Sequence, residues 1–230
     1  MDRSDPQLPI RVLDVVLAGS AILILSPLLV LVAFVLKLTG EHDVFYRQMR
    51  VGRGGQEFAL LKFATMLRDS PVIGTGLLTV QHDPRVLPFG RLLRKTKLNE
   101  IPQLWNVLIG DMSLIGPRPL ARRHFELYPP ELRERVASVR PGLSGLGSIV
   151  FRDEEAIVGR AQDRVRFYET VVAKYKGELE AWAAERRSVK MYLKLIFLTL
   201  WTVARPSSEL HRRLLADLPE PPDALRLLAG

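Results

Sequence analysis

The sequence predicts an α+β fold that is mostly helical, and three features of the 230-residue chain carry this prediction. A nearly uncharged apolar run occupies residues 12–36. Two short extended runs flank a Gly-rich turn within residues 44–63. Apolar residues then recur three and four positions apart, as on one face of a long helix: Val165, Tyr168, Val172, Tyr175, Leu179 and Trp182. We therefore predict a membrane-embedded segment (1–40), a folded domain (41–205) and a Pro-rich tail (206–230).

The apolar run carries one charge, Asp14. As a helix it would be roughly 37 Å long at 1.5 Å per residue, which is enough to cross a bilayer. Pro27 lacks a backbone donor and its ring clashes with the carbonyl of Leu23, so we expect a sharp bend or a break there, with the Ser26 hydroxyl partly satisfying the freed backbone. Since proline is tolerated in spanning helices, a spanning helix and a re-entrant helix both stay open.

The charge of the chain points to anionic partners. A formal net charge of +8 and a pI near 10.0 favour nucleic acid, acidic lipid or phosphorylated small molecules. A nucleic-acid binder conflicts with the long apolar segment, and the sequence lacks a recognisable reading element. The chain has no cysteine, which excludes disulfides and thiolate-rich metal sites. Three arginines follow the apolar run and predict that its downstream side is cytoplasmic: Arg47, Arg50 and Arg53.

Two local patterns predict elements of the folded domain. The stretch "VFYRQMRVGRGGQEFALLKF" contains two extended runs joined by the turn at 52–55, which indicates a β-hairpin. A helix is predicted over residues 100–109. Asn99 would be its N-cap, Pro102 would lie in its first turn and Gly110 would close its end.

The C-terminal half is predicted to be helical. The periodic stripe is more typical of core packing than of a dimer seam, so a homodimer is kept as the alternative. A second apolar stretch at 191–204 is short for a span and carries Lys190 and Lys194 on one side, with Trp201 near its end. These features suit an amphipathic interfacial helix, and a buried core helix is the alternative. The Pro-rich tail is expected to be poorly ordered.

One acid stands out in "KTKLNEIPQ", where Glu100 follows Asn99 and is surrounded by cations. At a helix start, unpaired N–H groups and the helix dipole favour both a carboxylate and a phosphate. An ionised carboxylate beside a phosphate can hold Mg²⁺, attack phosphorus or position a proton. The alternative is a surface glutamate that simply suits a helix start.

The motif "GPRP" presents Arg118 from a rigid segment, because Pro117 and Pro119 restrict the backbone on either side. Such a guanidinium suits bidentate phosphate binding. Arg140 in "VRPG" repeats the arrangement. Further cations that could line the same site, although each alone also fits a solvated surface, are Lys62, Arg94, Lys95 and Lys97.

Taken together, these stretches resemble the bacterial sugar transferases, the monotopic polyprenyl-phosphate phosphoglycosyl transferases. The matching pieces occur in order across roughly residues 10–150. They are "RVLD" followed by the apolar run with Ser26–Pro27, then "VFYRQMRVGRGGQEFALLKFATM", "DPRVLPFGRLLRKTKLNEIPQLWNVLIGDMSLIGPRP" and "VRPGLSGLGS".

The resemblance implies an enzyme that moves a phospho-sugar from a UDP-sugar to a polyprenyl (undecaprenyl) phosphate, releasing UMP and requiring Mg²⁺. This would be the first membrane step of exopolysaccharide, O-antigen or glycoconjugate synthesis. The resemblance also implies a bacterial inner-membrane protein whose helix breaks at Ser26–Pro27 and re-enters the cytoplasmic side. The expected catalytic residues are Glu100 and Asn99, and Glu100 with Asp111 is expected to hold the metal. The expected substrate-binding residues are Lys62, Arg94, Lys97, Arg118 and Arg140.

Two departures from the family pattern bear on mechanism. Members typically carry Asp–Glu where this chain has Asn99–Glu100, and that Asp is thought to form a covalent phospho-sugar intermediate. An amide is a poor nucleophile and a weak Mg²⁺ ligand. Many members also have Arg at the position of Ala64. Three readings follow: Glu100 is the nucleophile, Glu100 (with Asp111) holds Mg²⁺ while the polyprenyl phosphate attacks directly, or the chain is a non-catalytic membrane scaffold that binds nucleotide sugar or polyprenyl phosphate.

Overall fold

The computed structural model of the chain describes residues 7–70, 72–73, 83–152, 154–205, 208–215 and 217–229. Residues 1–6 of the predicted N-terminal segment and residues 206, 207, 216 and 230 of the predicted tail lie outside the described residues. The described part is mostly helical with a small antiparallel sheet and one long apolar N-terminal helix. The coarse fold-class prediction is therefore confirmed.

The N-terminal helix, α1 (Gln7–Leu38), has 32 residues and is about 48 Å long. By length and composition this helix is apolar enough to cross a membrane, and 11% of its most apolar 18-residue stretch is buried. The helix continues through Pro27, so a break of the helical backbone at Ser26–Pro27 is not found. The Ser26 hydroxyl donates to the carbonyl of Leu23 at 2.8 Å. Since Leu23 is the residue that loses its backbone donor to Pro27, the expected role of Ser26 is confirmed.

One face of α1 packs against the folded domain on both sides of Pro27. Its buried residues follow a helical spacing: Ile10, Asp14, Ala18, Val32 and Leu36. Ala18 packs with residues of the segments after the hairpin, including Leu104 and Val107. Val32 and Leu36 pack with Phe63 and Leu93. The opposite face is apolar and exposed, and includes Val16, Leu23, Ile24, Val30 and Leu31.

The predicted hairpin is confirmed. Strand β1 (Phe45–Val51) pairs antiparallel with β2 (Glu57–Phe63), and the register places Tyr46 opposite Lys62. A 3₁₀ turn at Arg53–Gly55 joins them. Its Gly54 and Gly55 have φ values of 69° and 75°, a left-handed conformation that glycine adopts without strain.

The segment after the hairpin contains helix α2 (Pro88–Lys95), a 3₁₀ turn (Leu98–Glu100) and helix α3 (Gln103–Ile109). Gly110 ends α3 with φ of 102°, as predicted. The predicted N-cap is wrong, because Pro102 occupies that position and Asn99 lies in the preceding turn without capping a helix. The 3₁₀ turn is entered through Lys97, a left-handed non-glycine residue with φ of 60°.

A short parallel pair of strands precedes the segment that carries Arg118. Strand β3 (Ser113–Ile115) pairs with β4 (Gly142–Ser144). Helices α4 (Arg122–Phe125) and α5 (Pro130–Ala137) lie between them in sequence. Gly116 follows β3, and a Cβ there would lie 2.3 Å from the carbonyl oxygen of Arg140, so the two backbones can approach only at glycine.

The C-terminal half forms the largest core. It comprises short helices α6 (Leu146–Val150), α7 (Glu154–Gly159) and α8 (Arg164–Phe167), a π-helical turn (Tyr168–Val172), and helices α9 (Ala173–Glu185) and α10 (Val189–Ala204). Four residues of the predicted stripe are buried in this core: Val172, Tyr175, Leu179 and Trp182. The core-packing interpretation is therefore confirmed, although Val165 at the start of the stripe is exposed.

Helix α10 combines a buried face with an exposed apolar face. Tyr192, Leu195 and Leu198 are buried in the core. The other face exposes Leu193, Phe197, Leu200 and Val203. The buried face agrees with the core-helix alternative, and the placement of this helix at a membrane interface stays a prediction.

The described tail residues pack on this core. Helices α11 (Leu210–Leu214) and α12 (Asp223–Ala229) are present, and Leu215 and Leu225 are buried. The Tyr175 hydroxyl donates to the carbonyl of Pro219 at 2.7 Å. The prediction of a poorly ordered tail is wrong for these residues. It was based on the proline content, whereas Leu215 and Leu225 are buried in the core and hold the tail.

Candidate active site

A polar cleft of about 350 Å³ opens between the hairpin and the turn that carries Glu100. Side chains from β1 alternate toward it, namely Tyr46, Gln48 and Arg50. Lys62 reaches it from β2. Among the described residues, the lining contains six cations and two carboxylates: Arg50, Lys62, Arg68, Arg94, Lys97, Arg118, Asp43 and Glu100. This balance suits a polyanionic ligand.

Glu100 lies between two of these cations. Its Oε1 is 3.8 Å from Nζ of Lys62 and 3.5 Å from Nη2 of Arg118. Burial by itself would raise the pKa of the Glu100 carboxyl, but attraction to Arg118, Lys62 and Lys97 outweighs burial and lowers that pKa. The carboxylate is therefore ionised at neutral pH and is held where a bound phosphate would meet it.

The cations of the cleft repel each other. Burial lowers the pKa of Lys62 to about 8, and repulsion from Arg118, Arg50 and Arg94 adds to this effect, while Glu100 opposes it. Burial, followed by repulsion from Arg118, also lowers the pKa of Arg50. A ligand phosphate would relieve this repulsion, so the cleft is electrostatically prepared for an anion.

Asn99 lies beside Glu100 on the wall of the same cleft. Its side chain is buried, at 7% exposure, and its Oδ1 has no hydrogen-bond partner among the described residues. A buried amide oxygen without a donor is costly, and a ligand donor or a cation would satisfy it. Within the described residues, no group of three or more His, Cys, Asp or Glu side chains could hold a metal.

The remaining predicted site residues divide into two groups. Arg94 and Lys97 line the cleft, and Nη1 of Arg94 also contacts Sδ of Met66 at 3.5 Å. Arg140 and Asp111 lie outside the cleft lining. Nε of Arg140 donates to the carbonyl of Gly110 at 2.8 Å, since the free carbonyls at the end of α3 attract a cation. The Asp111 carboxylate accepts from Nδ2 of Asn106 at 3.2 Å. The structure therefore does not bring Arg140 and Asp111 into the cleft with Glu100, and their predicted roles in substrate and metal binding stay predictions.

Sequence reasoning missed the β1 wall of the cleft. From the sequence, Arg50 is only a marker of membrane orientation, and neither Tyr46 nor Gln48 is predicted to be a site residue. The signal was present, because residues two apart in a strand share one face. Because Lys62 pairs opposite Tyr46, the hairpin register would identify this face, but the Gly-rich turn predicts only the hairpin and the exact register comes from the structure.

Asn106 fixes the position of β2 next to Lys62. Its Oδ1 accepts from the N–H of Leu61 at 2.9 Å, and its Nδ2 donates to the carbonyl of Ala59 at 2.8 Å. The amide thus bonds the strand on both sides of Leu60, as a neighbouring strand would. Because Asn106 belongs to α3, this contact joins the helix after Glu100 to the strand that carries Lys62.

This combination of an N-terminal apolar helix, a cationic hairpin cleft and a central glutamate defines the class of protein. The sequence profile of the bacterial sugar transferase family matches residues 7–206, and the chain belongs to that family.

Three curated relatives are similar to the chain. A UDP-glucose:undecaprenyl-phosphate glucose-1-phosphate transferase of Caulobacter vibrioides is 43% identical over 60% of this chain and 52% of its own length. The exopolysaccharide production protein ExoY of Rhizobium meliloti is 36% identical over 65% of this chain and 72% of its own length. A UDP-glucose:undecaprenyl-phosphate glucose-1-phosphate transferase of Escherichia coli is 34% identical over 83% of this chain and 39% of its own length. The chain thus spans about half of the first relative.

Proposed function

We propose that the protein transfers a phospho-sugar from a UDP-sugar to a polyprenyl phosphate, giving a polyprenyl-diphospho-sugar and UMP. The observation that carries the proposal is the position of Glu100 between Lys62 and Arg118 in a cationic cleft. The names of the relatives support it, since those proteins act on UDP-sugars and undecaprenyl phosphate or serve exopolysaccharide production.

The charge of the cleft suits this reaction. Both substrates carry phosphate, so bringing them together requires cations that offset their repulsion. Arg118 can bind a phosphate through its planar fork, and Lys62 and Arg94 supply point charges around it. A volume of about 350 Å³ is in the range of small-molecule sites.

For the bond changes we propose direct transfer. An oxygen of the polyprenyl phosphate forms a bond to the β-phosphorus of the UDP-sugar, and the bond from that phosphorus to the bridging oxygen breaks, so that UMP leaves with the bond electrons. Two features support this route over a covalent enzyme intermediate. Asn99 presents an amide, which is a poor nucleophile, and the Glu100 oxygen nearest Lys62 and Arg118 is already paired with both cations.

We propose that Mg²⁺ assists the reaction. The fit is carried by Glu100, whose carboxylate can bind Mg²⁺, and by Oδ1 of Asn99, a weaker ligand. That amide oxygen is buried and has no hydrogen-bond partner among the described residues, and both residues line the cleft. Two protein oxygens are enough, since Mg²⁺ in phosphate enzymes keeps waters and takes its other ligands from the substrate. When bound, the ion would neutralise charge that develops on the diphosphate.

We further propose that α1 enters and leaves the membrane on the same side. If α1 crossed the bilayer, only one of its two ends could pack against a domain that lies on one side of the membrane. In α1, buried residues on both sides of Pro27 pack against that domain, from Ile10 to Leu36, while the opposite face exposes apolar side chains. This arrangement supports a helix embedded in one leaflet, and a monotopic protein on the cytoplasmic face of the bacterial inner membrane.

The exposed face of α10 supports the same placement. Leu193, Phe197, Leu200 and Val203 form an apolar face beside a buried one, and α10 contacts α1. We propose that both helices contribute to one lipid-facing surface. The site then lies where a lipid-linked acceptor and a soluble nucleotide sugar can both reach it.

The experiment that tests the function is UMP release from a panel of UDP-sugars with undecaprenyl phosphate and Mg²⁺ in detergent. We expect UMP with at least one sugar, and a loss of about 100-fold or more in Glu100→Gln, which removes the charge without changing the shape. Glu57→Gln is the matched control, because Glu57 pairs with Arg122 on the surface. No UMP with any sugar, while a working relative gives UMP, would contradict the proposal and favour a non-catalytic scaffold.

The direct route has its own test. Intact-mass spectrometry of the protein with UDP-sugar and no acceptor is expected to show only unmodified chain. A mass increase of one phospho-sugar that disappears in Glu100→Gln would establish a covalent step at Glu100 instead. Asn99→Asp provides a positive control for detection, since it introduces a carboxylate at the buried position beside Glu100.

A further inference from the structure

Asp14, the acid within α1, is buried at 1% exposure and has three hydrogen-bond donors on one oxygen. Its Oδ1 accepts from the Ser113 hydroxyl at 3.0 Å, from the N–H of Leu114 at 2.8 Å and from the Tyr192 hydroxyl at 2.7 Å. A charged residue in an apolar membrane segment is costly unless it is paired, and such residues usually serve a function. Two of its three partners belong to strand β3.

Arg187 holds the same strand from the C-terminal side of α9. Its Nη1 donates to the carbonyl of Ile115 at 3.4 Å, and its Nη2 donates to the Ser113 hydroxyl at 3.2 Å. Attraction to Asp14 partly offsets the effect of burial, which lowers the pKa of Arg187. Strand β3 is thus fixed between a membrane-helix carboxylate and a guanidinium.

The strand leads directly into the segment that carries Arg118. Gly116 donates through its N–H to the carbonyl of Ser144 at 2.9 Å, and the carbonyl of Pro117 accepts from the N–H of Gly142 at 2.8 Å. Pro117 and its neighbours leave few free backbone torsions between β3 and Arg118. A displacement of β3 would therefore move the Arg118 guanidinium, which lies 3.5 Å from Glu100.

We propose that Asp14 is a positioning residue for Arg118. The seating of α1 against β3 sets the place of the guanidinium that meets the diphosphate, so that the membrane helix and the cleft are coupled. The functional consequence rests on the function proposed above for the cleft, whereas the effect on the backbone of residues 113–118 does not.

A double-mutant cycle tests the coupling through UDP affinity, measured by calorimetry on the full chain in detergent with Mg²⁺. We expect Asp14→Asn to weaken UDP binding about tenfold in the wild-type background, and about twofold or less in an Arg118→Lys background. Asn keeps an acceptor oxygen, so this variant should fold. Ile10→Ala is the matched control, since Ile10 is buried one turn earlier on α1 and makes no side-chain hydrogen bond. An equal loss in Ile10→Ala, or an Asp14 effect that is the same in both backgrounds, would overturn the proposal.

Hydrogen exchange separates this inference from the proposed function. We expect the amides of residues 113–116 and 118 to exchange faster in Asp14→Asn than in wild type, with no such change in Ile10→Ala. Unchanged exchange in Asp14→Asn would sink the positioning role even if the protein proved to be an active transferase. Conversely, if the protein released no UMP but showed the expected exchange, the proposed function would be contradicted and the link between Asp14 and the Arg118 segment would be supported.

Discussion

Nη2 of Arg118 lies 3.5 Å from Oε1 of Glu100, although one residue follows strand β3 and the other belongs to the turn before α3. The pair joins a rigid arginine to a carboxylate that Lys62 also contacts. Both residues line the cleft, and the Arg118 side chain is 43% exposed whereas the Glu100 side chain is 20% exposed. A phosphate that enters the cleft can therefore bind the guanidinium without first displacing Glu100.

Replacement of Arg118 tests its role in binding. We expect Arg118→Ala to raise the KM for UDP-sugar and to lower kcat/KM by about 100-fold, since it removes a charged fork that hydrogen-bonds phosphate. Steady-state kinetics of UMP release provide the measurement. Arg122→Ala is the control, because Arg122 is an equally exposed arginine that pairs with Glu57 on the hairpin. Similar losses in both variants would indicate a general charge effect.

The pH dependence of KM reports on Lys62. The pKa of Lys62 is lowered to about 8, so its ammonium is present below that pH and is lost as the pH rises through it. Glu100 does not contribute in this range, because its pKa is lowered and it stays ionised. We expect KM for UDP-sugar to rise above about pH 8 in wild type. Lys62→Arg keeps its charge and should give a flat profile, and a matching rise in that variant would assign the effect to another group.

Cysteine labelling tests the placement of α1, and the natural chain has no cysteine to interfere. We introduce single cysteines at Gln7, at the start of α1, and at Gln56 in the exposed hairpin turn. A membrane-impermeant reagent applied to sealed inside-out vesicles should label both positions, because both would face the cytoplasm. Labelling at Gln56 with protection of Gln7 until detergent is added would restore the spanning helix.

Asn106 gives a prediction about stability. Asn106→Ala leaves the N–H of Leu61 and the carbonyl of Ala59 without their partner, and it should lower the free energy of unfolding by about 1–3 kcal/mol. Denaturant unfolding of the protein in detergent measures this. Gln56→Ala, an exposed change in the hairpin turn, should have little effect. If Asn106→Ala were as stable as wild type, the two bonds would not hold β2.

Several elements could be predicted because their causes are local. The Gly-rich turn specifies the hairpin, and Gly110 ends α3 because a left-handed residue is needed there. The three-and-four spacing of the stripe predicts the buried face of α9. The Ser26 bond to Leu23 could also be predicted, since proline removes a known donor at a known distance.

The site could be predicted only in part. Glu100, Lys62 and Arg118 were identified from charge and from the proline context, and the structure brings them into one cleft. Arg140 is an arginine beside a proline and Asp111 is a carboxylate, as predicted for site residues, but both side chains lie near the C-terminal end of α3. There Arg140 donates to the carbonyl of Gly110, and Asp111 accepts from Asn106. The predicted N-cap role of Asn99 is wrong because this residue lies in the 3₁₀ turn before α3, where it lines the cleft.

Periodicity, turn chemistry and charge are properties of neighbouring residues, and they were enough to predict the apolar helix, the hairpin, the helical core and the central glutamate. The cations that meet Glu100, the face of β1 that lines the cleft and the contacts of the buried Asp14 are known from the folded structure alone. Those relationships join residues from 18 to 178 positions apart. They depend on strand register and on the packing of α1 against β3 and α10, which no local pattern encodes.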